Sequence, residues 1–170
     1  MSDVVLVTYA TATGSTEGVA VAIAHALREK GLQVALHPMR DVDDVTPYRA
    51  VVAGSAVQGG AWLPEAVEFV RKNQSALAKR PFAPFLVCMT LAMKKGQYRD
   101  AVNGWLAPVR ALVKPVSEGL FAGALDLSKV PSFSDRLKFR VSVALGVWSE
   151  GDHRDWDAIR RWALELAPQL

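Results

Sequence analysis

Four hydroxyl side chains and a glycine lie within six consecutive residues near the start of the chain, between an apolar run and a helical pattern. Hydroxyls and backbone N–H groups at a helix N-terminus bind anions, and a glycine lets the backbone approach a phosphate closely. The six residues are Thr11, Ala12, Thr13, Gly14, Ser15 and Thr16. They predict a binding site for a phosphate group.

This loop contains neither lysine nor arginine. Phosphoryl transfer needs a cation to offset the charge that develops on the transferred group, so a site made only of hydroxyl and amide dipoles favours tight binding of a monophosphate. The P-loop pattern GxxxxGK[ST] and the dinucleotide pattern GxGxxG are also absent from the sequence. The predicted ligand is therefore a monophosphate that is held rather than transferred.

Short apolar runs alternate with helical patterns along the chain, which is typical of a parallel sheet with helices on both faces. The predicted strands cover residues 3–9, 33–37, 50–57, 83–90 and 118–125. The predicted helices end at Gly31, begin at Pro64, cover residues 97–113 and follow Asp155. These units predict an α/β fold with a doubly wound, five-stranded parallel sheet in the order 2-1-3-4-5, where ligands bind beyond the carboxyl ends of the strands.

Residues 11–16 match the T-x-T-G-x-T phosphate loop of flavodoxins, and with this element order the chain resembles the flavodoxin-like family over nearly its whole length. The resemblance implies a bound FMN whose phosphate is held by the six loop residues. Two alternatives remain open. The loop could be a threonine-rich helix cap without a ligand, or the chain could be an interaction module that has lost FMN.

A second loop follows the predicted third strand, where two consecutive glycines permit positive φ angles close to a planar ring. We expect it to lie at the flavin edge, with Ser55, Ala56, Val57, Gln58, Gly59 and Gly60 as binding residues. Electron-carrier flavodoxins usually place an aromatic residue at the position of Gln58. Trp62 either replaces that aromatic residue or is an ordinary core residue beside Pro64.

A third loop follows the predicted fourth strand and is expected to complete the flavin site through Thr90, Leu91 and Ala92. Carrier flavodoxins tend to have an acidic loop here, whereas this chain has Lys94 and Lys95. The two lysines are either a solvated surface turn or a rim that attracts acidic groups of a substrate.

Residues 128–151, hereafter the 128–151 segment, exceed the minimal five-unit pattern and are interpreted as an insertion into a single domain covering residues 1–170. Its apolar residues recur at roughly helical spacing, although alternating residues from Val141 to Val147 also permit a strand. The apolar set consists of Phe133, Leu137, Val141, Ala144, Leu145 and Trp148. The segment is either a docking surface for a membrane, a quinone or porphyrin carboxylates, or an element that covers the sheet edge.

Several stretches resemble the menaquinone-dependent protoporphyrinogen dehydrogenase branch of this family, namely residues 52–57, 65–70, 121–125, 134–139 and 154–156. The resemblance implies an FMN-dependent oxidoreductase that passes electrons from an organic substrate, such as a protoporphyrinogen, to a quinone. The flavin would do the chemistry, and no side chain is assigned as acid or base. The alternative is a flavodoxin that carries electrons between redox partner proteins.

The net charge of +3 lies entirely in the second half of the chain. One short stretch accounts for this excess, because it has four basic residues and one acidic residue. They are Lys129, Arg136, Lys138 and Arg140, and Asp135. A local excess of this size does not predict a nucleic-acid partner, but it favours peripheral contact with an anionic membrane through residues 129–148.

The cysteine and histidine content limits the other chemistry that the chain can perform. Cys88 is the only cysteine, which excludes an intrachain disulfide and favours a cytoplasmic protein. The three histidines, His25, His37 and His153, fall on a helix, a strand and a loop, and no metal site is predicted. No apolar run is long enough to predict a membrane span.

Overall fold

Eight strands and seven helices make up the described part of the chain, which is residues 2–93 and 97–170 of a computed structural model. The strands are β1 Val4–Ala10, β2 Gln33–Pro38, β3 Ala50–Gln58, β4 Ala61–Trp62, β5 Phe82–Cys88, β6 Gly119–Ala122, β7 Ala124–Leu125 and β8 Gly151–Asp152. The helices are α1 Ser15–Glu29, α2 Pro64–Lys72, α3 Gln74–Leu77, α4 Arg99–Gly104, α5 Ala107–Leu112, α6 Phe133–Ala144 and α7 Trp156–Leu166.

The main sheet is parallel and has the order β2-β1-β3-β5-β6. The two-residue strand β4 folds back on the end of β3 in antiparallel pairing and adds nothing to this path. Without β4 the order is the predicted 2-1-3-4-5, so the predicted fold class is confirmed. The sheet order brings the carboxyl ends of β1, β3 and β5 together at one edge.

Apolar strands form the middle layer between two helical layers. The side chains of Val5, Leu6 and Val7 in β1 are all fully buried, because alternate residues face opposite helical layers. One core, which includes Val5 and Val7, lies against α1 and α7, and the other, which includes Leu6, lies against α2, α4 and α5. The sheet is therefore covered on both faces, as predicted.

The predicted helix ends agree with the structure where a specific residue defines them. Gly31 adopts a φ of +83° directly after the C-cap residue of α1, Lys30, as expected of a glycine that ends a helix. Pro64 is the first residue of α2, and the Asp155 carboxylate caps α7 by accepting a hydrogen bond from the N–H of Ala158.

The predicted helix over residues 97–113 is wrong in its length. Two short helices, α4 and α5, occupy this stretch instead. Pro108 lacks the N–H that would donate to the carbonyl of Gly104, and glycine is itself a poor helix former. The chain therefore ends one helix at Gly104 and begins another at Ala107.

The predicted strand over residues 118–125 is also divided. β6 ends at Ala122, and the N–H of Gly123 then donates to the Cys88 carbonyl at 3.1 Å. The following residues, β7, leave the parallel sheet and pair antiparallel with β8. This small hairpin joins the two ends of the 128–151 segment.

The 128–151 segment contains α6, so the helical alternative is confirmed over residues 133–144 and the strand alternative is wrong. Ser132 caps α6 by accepting a hydrogen bond from the N–H of Asp135. All twelve residues of α6 remain at least partly exposed. Among the described residues, no helix is both long and apolar enough to cross a membrane.

Candidate functional site

The phosphate loop lies where the sequence placed it, between the end of β1 and the first turn of α1. Gly14 is the N-cap of α1 and has a φ of +95°, a conformation that side chains with a Cβ rarely adopt. Its N–H donates to the Thr11 hydroxyl at 2.9 Å, which holds the loop in a tight turn. This turn therefore lies at the positive end of α1, where the first backbone N–H groups of a helix have no partner within the helix.

Thr16 shows that this loop fits an anion. The residue is fully buried, and its hydroxyl oxygen has no hydrogen-bond partner among the described residues. A buried hydroxyl without a partner costs about 1–3 kcal/mol. A phosphate in the loop would supply the missing acceptor, so the residues present fit a bound phosphate group.

The structure brings a cation close to this loop that the sequence reasoning missed. The Arg154 guanidinium donates through Nη1 to the Ser15 carbonyl at 3.2 Å. A Cβ at Gly18 would overlap with the same guanidinium, so this glycine makes room for it. The sequence singled out residues 154–156 only as part of a resemblance, and it gave no indication of this contact, because Arg154 lies 139 residues from Ser15.

Arg154 is held in place by two further contacts. Its guanidinium makes two parallel hydrogen bonds of 2.8 Å with the Asp152 carboxylate and lies 4.4 Å from the centre of the Trp156 ring. The hydrogen bond from Arg154 lowers the pKa of Asp152. These contacts fix the first turn of α1 to the hairpin at the base of the 128–151 segment.

A cavity of about 470 Å³ opens beside the phosphate loop. Its volume lies in the range of ligand pockets, about 300–1,000 Å³. The predicted residues that line it are Ala12, Thr13, Ser15, Ala56, Val57, Gln58 and Gly59. The other predicted residues of these two loops are not among those that line the cavity, namely Thr11, Gly14, Thr16, Ser55 and Gly60.

The second loop has the predicted backbone, with φ angles of +59° at Gly59 and +76° at Gly60. Ser55 is buried, and its hydroxyl accepts a hydrogen bond from the Leu63 N–H at 3.1 Å, which ties the loop to the start of α2. Trp62 is only 3% exposed and packs in the core, so the structure favours the core alternative over a ring-contacting role.

The predicted residues of the third loop do not line the first cavity. Thr90 and Leu91 line a second cavity of about 400 Å³, together with Met93, Gln97, Tyr98, Arg99 and Asp100, and Ala92 lines neither cavity. Their assignment to the flavin site therefore remains a proposal. The predicted basic rim at Lys94 and Lys95 lies outside the described residues.

The far wall of the first cavity comes from the end of β6 and the 128–151 segment, which the sequence analysis interpreted as a docking surface or as a cover of the sheet edge and not as part of the ligand site. Its residues include Asp126, Val130, Pro131, Asp135, Phe139 and Trp148. The side-chain hydrogen bond from Ser128 lowers the pKa of Asp126. Of the residues that the structure describes, those lining this cavity include two carboxylates and neither lysine, arginine nor histidine.

The remaining titratable residues give little indication of side-chain catalysis. Burial raises the pKa of the Cys88 thiol, which lines the cavity and is 6% exposed. His153 Nε2 lies 2.8 Å from the carbonyl of Ser149 within its own loop. Over residues 2–93 and 97–170, no cluster of histidine, cysteine and carboxylate side chains could hold a metal ion.

The fold and the phosphate loop agree with a comparison against protein families. Residues 6–154 match the model of a flavodoxin domain family, and the chain therefore belongs to that family. Its cofactor is FMN, which supplies two-electron and one-electron redox chemistry when bound. The chain is accordingly an FMN-binding redox protein.

Solved structures with the same fold cover nearly the whole chain. A flavodoxin from Streptococcus pneumoniae TIGR4 matches with 17% identity over 98% of this chain and 99% of its own, with a TM-score of 0.62. Megasphaera elsdenii flavodoxin matches with 16% identity over 95% of this chain and 98% of its own, with a TM-score of 0.58. Rubredoxin oxygen:oxidoreductase from Desulfovibrio gigas matches with 17% identity over 99% of this chain and 38% of its own, with a TM-score of 0.50. No curated protein matches the chain.

Proposed function

We propose that this protein is an FMN-dependent oxidoreductase that passes electrons from an organic substrate to a quinone at an anionic membrane surface. The observation that carries the proposal is an exposed apolar stripe on α6, the helix that also contributes to the cavity wall. The organic substrate is of the protoporphyrinogen type, as the sequence resemblance implies. The single cysteine further supports a cytoplasmic location.

The apolar stripe consists of Phe133, Leu137, Val141 and Leu145, which are 79%, 54%, 50% and 74% exposed. A spacing of four residues places the first three along one side of α6, and Leu145 follows at the same spacing as the C-cap of the helix. Large apolar side chains exposed as a contiguous group usually mark an interaction surface. The stripe could therefore enter the headgroup region of a bilayer.

Basic side chains favour a membrane as the partner of this stripe. Lys129, Lys138 and Arg140 are all exposed on or just before α6. Near an anionic surface each lysine or arginine contributes about 1 kcal/mol of attraction. Lys129 and Lys138 also form exposed ion pairs with Asp126 and Asp135, at 3.6 and 3.3 Å, which water weakens strongly.

The charges of the cavity wall indicate which kind of partner can enter the cavity. Asp126 and Asp135 are paired with Lys129 and Lys138, and no lysine, arginine or histidine among the described residues lines the cavity to attract a carboxylate. An uncharged planar acceptor such as a quinone is therefore better supported inside the cavity than the carboxylates of a porphyrinogen.

We expect the double variant Leu137→Asn/Leu145→Asn to bind anionic vesicles at least about tenfold more weakly, because each change removes roughly 1–2 kcal/mol of apolar burial. Co-sedimentation with phosphatidylserine-containing vesicles measures this affinity. Val21→Asn is the matched control, since Val21 is an apolar residue of α1 that is 45% exposed. The same binding by the double variant and by the control would contradict membrane docking.

Measurements of quinone reduction distinguish a role of the apolar stripe in membrane docking from a role in the reaction itself. FMN-loaded protein with protoporphyrinogen should reduce a menaquinone analogue, and the double variant should lose activity with a vesicle-embedded quinone while keeping it with a water-soluble one. Equal loss with both quinones would show that the stripe serves the reaction itself rather than the membrane.

A second candidate function is electron carriage between proteins. The observation that favours it is the nearly full-length match to flavodoxins, in which this chain covers 98–99% of each molecule. A carrier would accept electrons from a flavodoxin reductase and show no turnover with protoporphyrinogen or quinone. That pair of results would replace the oxidoreductase proposal.

A further inference from the structure

Two aromatic rings of the 128–151 segment face the same cavity as the phosphate loop. The centres of the Phe139 and Trp148 rings are 5.2 Å apart, with 31° between their planes. Both residues are half-buried, and both line the cavity to which Thr13 and Gln58 also contribute. An aromatic surface and a phosphate loop therefore bound one continuous space.

Trp148 carries a polar group that no described residue satisfies. Its indole nitrogen, Nε1, is buried and has no hydrogen-bond partner among residues 2–93 and 97–170. Buried indole N–H groups usually find an acceptor. An unsatisfied donor on a cavity wall therefore indicates a ligand atom that accepts a hydrogen bond.

Among the residues that the structure describes, the other cavity walls offer no aromatic side chain to a planar ligand. Gln58 stands in the second loop at the position expected to be aromatic, and Trp62 packs in the core away from the cavity. Phe139 and Trp148 are the aromatic residues among the described residues that line this cavity. The 128–151 segment therefore supplies the surface that the second loop lacks.

We infer that Phe139 and Trp148 form the wall of the FMN site that contacts the isoalloxazine ring, with the Trp148 N–H donating to an acceptor atom of the flavin. The inference rests on FMN binding, because the ring must lie within reach of a phosphate held by the first loop. The ring is planar, aromatic and rich in carbonyl and ring-nitrogen acceptors, which matches an aromatic pair with one free donor. The segment is thus a part of the cofactor site as well as an outer surface.

The variant Trp148→Phe tests the hydrogen bond, because it keeps an aromatic ring and removes the N–H. We expect its FMN dissociation constant to rise about tenfold, with no loss of stability in the ligand-free protein. Flavin fluorescence measures the binding, and urea unfolding measures the stability. Phe139→Leu should weaken FMN binding by a few-fold and change the visible absorption bands of the bound flavin.

Phe133→Leu is the matched control, since Phe133 lies on the same helix and is 79% exposed. It should bind FMN like the wild type, with the same spectrum. If Trp148→Phe and Phe139→Leu also bind FMN within twofold of the wild type and keep its spectrum, the inference is wrong. A change in these variants that is confined to the KM of a quinone would show that the two rings contact the quinone rather than FMN. Failure of the wild-type protein to bind FMN would instead contradict the cofactor itself.

Discussion

Replacing Thr16 with valine should weaken FMN binding by about 10- to 100-fold. Thr16 is fully buried in the first turn of α1, and its hydroxyl has no acceptor or donor among the described residues. A hydrogen bond to a charged group contributes about 1.5–3 kcal/mol, so loss of a bond to the phosphate has this effect. Titration of the ligand-free variant with FMN, followed by flavin fluorescence, measures the change.

The same substitution should act in the opposite direction on the protein without FMN. Valine removes a buried hydroxyl that has no partner, so the free energy of unfolding should stay unchanged or rise slightly. Thr8→Val is the matched control, because the Thr8 hydroxyl is equally buried and unpartnered but lies within β1. Equal loss of FMN affinity in both variants would contradict a specific role for Thr16.

Gly54→Ala should lower the free energy of unfolding by about 3 kcal/mol or more, since overpacking a tight core typically costs 1–3 kcal/mol. A Cβ on Gly54 would overlap with the ring of Phe85 on the neighbouring strand. That ring is fully buried and packs against Phe121 and Trp162, with both ring centres 6.2 Å away, so it cannot move aside. Urea denaturation measures the loss.

Gly104→Ala provides the comparison for Gly54→Ala. A Cβ on Gly104 would meet no atom within 4 Å, and alanine favours helix over glycine by up to about 1 kcal/mol. We expect this variant to be as stable as the wild type or slightly more so. If both alanine variants were equally stable, the close packing of Phe85 on Gly54 would be disproved.

The sheet and the turn between β1 and α1 were predictable from sequence because their signals are local, and phosphate binding by that turn stays a prediction. The apolar runs of β1, β3 and β5 indicated buried parallel strands, and Gly31, Pro64 and Asp155 marked helix ends within a residue or two. Helix and strand ends depend on backbone hydrogen bonds close in the chain, which single residue types can supply or block.

Features that depend on distant parts of the chain were not predictable in the same way. Arg154 reaches Ser15 only because the β7–β8 hairpin turns the chain back toward α1. Phe139 and Trp148 line the cavity because the 128–151 segment lies against it, whereas the apolar pattern of the segment is the same for inner and outer residues. The break between α4 and α5 had a local signal in Pro108, which the longer helical pattern obscured.

The structure also shows on which side of the 128–151 segment its charged side chains lie. The net +3 counts all side chains equally, but Asp126 and Asp135 line the cavity while Lys138 and Arg140 are exposed on α6. Asp126, just before the segment, pairs with Lys129, and Asp135 pairs with Lys138. No lysine or arginine among the described residues lines the cavity, and the basic excess lies on the exposed surface of the segment. This separation supports a membrane outside and an uncharged acceptor inside.

The central claim is that residues 11–16 hold the phosphate of FMN, and it is tested most directly by comparing FMN with riboflavin, which lacks the phosphate. Titration of the ligand-free wild-type protein with each, followed by flavin fluorescence, gives the two dissociation constants. We predict that FMN binds at least about 100-fold more tightly, because several amide and hydroxyl donors meet a dianion. Equal affinities for FMN and riboflavin would contradict the account.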